Sequence, residues 1–148
     1  MVTMQVQYAV NQSAVPNEEN FQTWSAAVPS NDNQRQEVFL RIVDEQEMTQ
    51  LNTQYRKKAC PTNVLSFPAD LHEEVDIPFL GDVIICAPVV DKEASEQGKS
   101  TLSHWAHMTV HGILHLQGYD HMNDAEAAEM EQLEIQILRK LGFDNPYV

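Results

Sequence analysis

His104-Trp105-Ala106-His107-Met108-Thr109-Val110-His111-Gly112-Ile113-Leu114-His115-Leu116-Gln117-Gly118-Tyr119-Asp120-His121 is the stretch from which the chain is best read. On a helix, His111 and His115 stand one turn apart on one face, about 6 Å along the axis, so both rings can reach a single ion. A continued helix would carry His121 away from that ion. Gly118 can adopt the left-handed conformation that ends a helix and reverses the chain, which lets His121 swing back. Three neutral nitrogens leave a fourth position on a tetrahedral Zn2+ for water or substrate, the arrangement of catalytic rather than structural zinc. His111, His115 and His121 are therefore the expected metal ligands. They place the site on a helix in the second half of the chain and in the turn after it.

The spacing equals the metzincin pattern H-E-x-x-H-x-x-G-x-x-H at each ligand and at the glycine, but Gly112 stands where those peptidases carry glutamate. That glutamate is the general base of peptide cleavage, and glycine cannot replace it. Other readings make the histidines core residues or a structural zinc knot. The knot would want a fourth ligand such as cysteine, and Cys60 and Cys86 are distant in sequence. His107 and His115 lie two turns apart, about 12 Å, whereas a zinc–nitrogen bond is about 2 Å, so one ion cannot collect His107, His111 and His115 together. His107 is expected to brace a neighbour or simply to pack. His104, near the helix start, is expected to be solvated, and His72 carries no signal.

Around this helix the pattern alternates between strands and helices. Met4 to Val10 alternates as a half-buried strand does. A helix follows Pro16 and Glu18-Glu19, with Phe21, Trp24 and Val28 at helical spacing. Glu37 to Val43 reads as a strand. Asp44 caps a helix from Glu45 to Tyr55 whose apolar stripe is Met48, Leu51 and Tyr55. Val64 to Phe67 and Asp82 to Cys86 give two further strands, separated by an acidic, proline-bounded loop, Pro68 to Leu80, that is expected to be mobile. Helices from Ser100 to Gln117 and from Asn123 to Leu141 close the chain, the second turning Met130, Leu133, Ile137 and Leu141 inward. The expected class is α/β (α+β), a small mixed sheet of about four strands covered by helices. With 148 residues and 43% hydrophobic content, residues 1–148 are expected to form one catalytic domain. Met1 to Val6 is not a secretory signal, and the longest apolar run, Val83 to Val90, is too short to span a bilayer. Two cysteines without paired spacing suit a reducing cytoplasm.

The stretch His104 to His121 resembles the signature of the YbeY family of metal-dependent endoribonucleases acting in ribosomal RNA maturation. Pro61-Thr62-Asn63-Val64-Leu65-Ser66-Phe67-Pro68 is similar to the family's P-T-D-V-L-S-F-P block, and Leu80-Gly81-Asp82-Val83-Ile84-Ile85 to its L-G-D-I-x-I block. Arg56 lies where the family carries an arginine. Asn63 replaces the usual aspartate, and Ala59 stands where an acidic residue is common. The resemblance implies an α/β fold and a single-strand-specific endoribonuclease acting at the small-subunit rRNA 3′ end and in ribosome quality control. It also implies ribosomal RNA, ribosomal proteins and assembly factors as partners.

The charge is unusual for such an enzyme. The chain carries a net charge of −13, whereas attraction to phosphates calls for a basic surface. Arg56-Lys57-Lys58 gathers three of the nine basic residues, while Asp124, Glu126, Glu129, Glu131 and Glu134 read as a solvated acidic face of the last helix. No membrane or DNA partner is expected. The expected reaction is zinc-assisted hydrolysis of an RNA phosphodiester. The ion would lower the pKa of its water and polarise a phosphoryl oxygen, and Arg56, which the resemblance puts near the metal, would stabilise transition-state charge. His115, a ligand, is also a candidate base, although ligation makes it a poor one. Two alternatives remain: a ribosome-assembly factor with a mainly structural metal, and a metzincin-like peptidase lacking its glutamate.

Overall fold

A computed structural model describes residues 1–30, 34–69, 79–119 and 123–147. Four strands, β1 (Val2–Tyr8), β2 (Gln36–Val43), β3 (Val64–Pro68) and β4 (Phe79–Cys86), form one sheet in the order β1-β2-β4-β3. β1 pairs β2 and β2 pairs β4 in parallel, and β3 runs antiparallel along β4. Five helices surround it: α1 (Glu18–Ala26), α2 (Glu45–Arg56), α3 (Ala87–Glu96), α4 (Thr101–Leu116) and α5 (Asp124–Lys140). The expected mixed four-stranded sheet covered by helices is thus the one observed. Among the described residues no helix is long and apolar enough to cross a membrane.

The alternation along β4 sorts the helices between the two faces. Leu80, Val83 and Ile85 join Val38, Leu40 and Ile42 in the larger core, under Phe21 and Trp24 of α1 and Trp105, Ile113 and Leu114 of α4. Ile84 and Cys86 face the other way, onto Met48 of α2 and Leu65 of β3. A strand buried on both faces reads as a continuous apolar run, as Val83 to Cys86 does. Each large side chain removed from water here contributes roughly 1.5–3 kcal/mol. α5 lies against α4. The histidine helix is therefore held between the sheet and α5.

Helix ends follow the local chemistry. Asn17, Asp44, Ser100 and Asn123 each accept a backbone N–H of the first turn, from Asn20, Glu47, Ser103 and Glu126. After α4, Gly118 takes φ +100°, with Gly118 N–H donating to His115 O at 3.0 Å and Tyr119 N–H to Leu114 O at 3.1 Å. This is the Schellman turn expected of that glycine.

Several boundaries differ from expectation. α3 follows β4 without a loop, Cys86 being the last residue of one and the cap of the other. In the sequence its start is continuous with the apolar run ending at Val90. Pro88 at the first helical turn tolerates this, since its missing N–H has no partner to lose there. β4 begins at Phe79, before the expected Asp82. β1 ends at Tyr8 rather than Val10, although Ala9 N–H still donates to Ile42 O at 2.9 Å. Tyr55, placed in the inward stripe of α2, is 58% exposed and stacks edge-on against Phe67. Most of the loop expected to be mobile, with His72, falls on residues 70–78, outside the described residues.

Candidate metal centre

From His104 to Leu116 every residue of α4 is buried except His111 and His115. A helix wrapped on all sides thus opens at the two positions expected to bind an ion. Their Nε2 atoms lie 3.1 Å apart. Two nitrogens bonded at about 2.0–2.1 Å to one tetrahedral ion would be separated by about 3.3–3.4 Å. Two imidazole lone pairs repel at such a distance, so a proton or a cation must mediate the contact.

The other nitrogen of His111 is accounted for. His111 Nδ1 lies 2.9 Å from Glu134 Oε1 on α5. Glu134 is 1% exposed, and its Oε2 accepts from His107 Nε2 and, at 2.7 Å, from the Tyr147 hydroxyl. Burial alone would raise the Glu134 pKa, but hydrogen bonds from His107 and His111 outweigh it and hold the carboxyl at about 2. Glu134 is therefore an ionised acceptor. A proton on His111 Nδ1 leaves the Nε2 lone pair facing His115. This tautomer follows from the contact with Glu134, because an ionised carboxylate can only accept. Burial, together with the hydrogen bond to Glu134 and its charge, raises the Tyr147 pKa, so the phenol remains a donor. The donor set fits a divalent cation: paired Nε2 atoms, one of them backed by a buried carboxylate.

His107, His111 and Glu134 also bring one ligand atom each within 4.8 Å of one another, and this group too could hold an ion. Both Glu134 oxygens already accept hydrogen bonds there.

His121 lies outside the described residues, as does Asp120. Arg56 is exposed in the last turn of α2, the helix on the opposite sheet face from α4, and among the described residues it forms no hydrogen bond or ion pair. Lys57, which ends α2 at φ 56°, and Lys58 are likewise exposed. The structure thus brings His111 and His115 together and leaves Arg56 on a separate element.

His104 is not solvated as expected. It is 3% exposed, with Nε2 2.9 Å from Glu93 Oε1 of α3. Burial lowers its pKa, which the Glu93 hydrogen bond opposes in part. Asn63 Nδ2 donates to the same carboxylate at 3.2 and 3.3 Å. Asparagine can fill this role and an ionised aspartate cannot, which gives a physical reason for the amide at position 63.

Sequence reading missed Glu134 and Tyr147. Its charge places Glu134 with the solvated acidic face expected of α5, yet it follows Met130 by four residues and precedes Ile137 by three, on the buried stripe of the helix. That phase was the available signal. Gly112 faces the sheet, because a Cβ there would lie 2.7 Å from Val83 Cγ1 of β4. The peptidase glutamate would have to occupy this position, and here it would enter the sheet.

A family model described as Endoribonuclease YbeY matches residues 5–142. The solution structure of TM1509 from Thermotoga maritima resembles this chain with a TM-score of 0.66 and 26% identity, over 95% of this chain and 89% of that one.

Proposed function

We propose that this chain, which belongs to the YbeY endoribonuclease family of rRNA maturation, cleaves single-stranded RNA with one Zn2+ held by His111, His115 and His121. The approach of His111 Nε2 to His115 Nε2, 3.1 Å, carries the reading. It is preferred over an ion among His107, His111 and Glu134, because both Glu134 oxygens already accept hydrogen bonds and the one from His111 Nδ1 turns its Nε2 toward His115. A divalent cation at the histidines would polarise a phosphoryl oxygen and acidify a water. Glu134 keeps His111 in the ligating tautomer. Arg56 would oppose the charge developing on the phosphate as a bidentate guanidinium, a role the family likeness suggests. Unstacked, single-stranded RNA suits an enzyme that must reach a backbone phosphate directly.

The proposed setting is the cytoplasm, with ribosomal RNA as substrate, the small-subunit 3′ end as its place of action, and quality control of ribosomes as a further role. A second reading, an assembly factor whose metal is mainly structural, draws on the net charge of −13, which favours protein partners over bare RNA. The test is metal analysis of the purified protein together with cleavage of single-stranded and duplex RNA. The proposal expects one ion per chain and cleavage of the single strand, both lost in His111→Ala and His121→Ala. Bound metal with no RNA cleaved under any condition would favour the assembly factor, and full occupancy in His121→Ala would remove that residue from the site.

A further inference from the structure

The segment after α5 returns to the histidines by a defined route. Gly142, at φ +89°, closes α5 with a second Schellman turn, Gly142 N–H donating to Arg139 O at 3.0 Å and Phe143 N–H to Leu138 O at 2.9 Å. Lys99 Nζ, just before α4, ties the segment down by donating to Pro146 O at 2.6 Å. Asn145 Oδ1 accepts from Tyr147 N–H at 2.8 Å. The Tyr147 ring then stands edge-on to His107 with centroids 5.4 Å apart, and its hydroxyl reaches Glu134 Oε2 at 2.7 Å. A cavity of about 220 Å3 lined by His111, Met130, Glu131, Glu134 and Tyr147 adjoins this contact.

We propose that Tyr147 is a positioning residue for the metal site, its hydroxyl fixing the Glu134 carboxylate that in turn holds His111 with Nδ1 protonated and Nε2 turned toward His115. The inference rests on the assignment of His111 and His115 as ligands. The chemistry is that of a relay of hydrogen bonds. Oε1 serves His111, while Oε2 accepts two donors that come from different elements, His107 on α4 and Tyr147 beyond α5. Two donors on Oε2 restrict rotation of the carboxylate about its last bond, so Oε1 stays aimed at His111 Nδ1. Tyr147 is 46% exposed. Without its hydroxyl, water would enter as a mobile substitute donor and the carboxylate would lose that constraint. Outer partners of this kind commonly change metal affinity by about 10–100-fold.

The experiment compares full-length wild type, Tyr147→Phe, Tyr147→Ala and His111→Ala. Co2+ affinity is measured by competition with a chromophoric chelator, and the tautomer of His111 in metal-free protein is read from long-range 1H–15N couplings of its ring. Tyr147→Phe keeps the ring against His107 and removes only the hydroxyl. The expected result is about tenfold weaker Co2+ binding in Tyr147→Phe, equal to that in Tyr147→Ala, with His111 shifting from a single Nδ1–H form to a mixture. Wild-type affinity and tautomer in Tyr147→Phe, with a loss only in Tyr147→Ala, would overturn the proposal and leave Tyr147 as packing. Unchanged Co2+ binding in His111→Ala would instead remove the ligand assignment on which the inference rests. The tautomer measurement still decides whether Tyr147 orders His111.

Discussion

Replacing Gly112 by alanine should destabilise the protein, against the usual sign for glycine inside a helix. In an ordinary helix the change gains about 1 kcal/mol through propensity. Here the added methyl would lie 2.7 Å from Val83 Cγ1 and 3.2 Å from Val83 Cγ2, whereas carbon atoms pack at about 3.5–4.0 Å. Because both Val83 methyls face the glycine, turning one aside leaves the other in the way. Val83 is fully buried in the central strand β4, so relief requires α4 to move off the sheet. Overpacking of this kind costs about 1–3 kcal/mol. Set against the propensity gain, the net loss is about 0–2 kcal/mol, a fall in Tm of up to about 8 °C at roughly 2–4 °C per kcal/mol. Thermal unfolding of Gly112→Ala, Val83→Ala and the double variant isolates the contact. The alanine at 112 should cost less in the Val83→Ala background than in wild type. A Tm that rises by several degrees in Gly112→Ala alone would refute the close approach of α4 to β4.

Other outcomes follow from the site and its supports. Glu134, held at about 2 against an ordinary value of 4.5, stabilises the metal-free protein fully above about pH 4.5. That stabilisation, roughly 3 kcal/mol at most, should fade as the pH falls toward 2; urea unfolding at pH 6 and pH 3 should show a smaller difference in Glu134→Gln. Asn63→Asp would set two carboxylates face to face at Glu93, so unfolding at neutral pH should show a loss of about 1–3 kcal/mol that shrinks in acid; a neutral outcome would dismiss the amide's role. Arg56→Glu should leave metal content and Tm unchanged while lowering single-turnover RNA cleavage at saturating enzyme by about 100-fold, and a wild-type rate there would make Arg56 a binding residue. Lys57→Ala and Lys58→Ala should weaken RNA binding modestly and flatten its salt dependence, as measured by titration at several ionic strengths.

The parts of this molecule legible in sequence are those where one local rule acts alone. α2, α4 and α5 announce themselves by periodicity and by the caps Asp44, Ser100 and Asn123, and Gly118 by the turn it makes after α4. His111 and His115 converge as helical spacing requires. α3 was hidden because Val83 to Val90 offers no polar break between a strand and the helix that continues it. Glu134 was hidden because carboxylates are usually solvated, and its burial is affordable only through donors on two other segments, which no local pattern reveals. Tyr147 gives no local signal, since its contact depends on Gly142 and Lys99 folding the chain back. Arg56 was set near the metal by family likeness alone, and the structure carries it on the opposite face of the sheet from α4.

The enclosure of α4 between the sheet and α5 also bears on how an ion would enter. Eleven of its sixteen residues are buried, so its amides should exchange with solvent deuterium only when the whole molecule opens, among the slowest in the chain. His111 and His115 thus stand on a helix expected to stay folded until the whole molecule opens, and an ion held by them would not wait for that helix to form. Added metal should leave α4 exchange governed by global unfolding and change protection chiefly at the segment after Gly118.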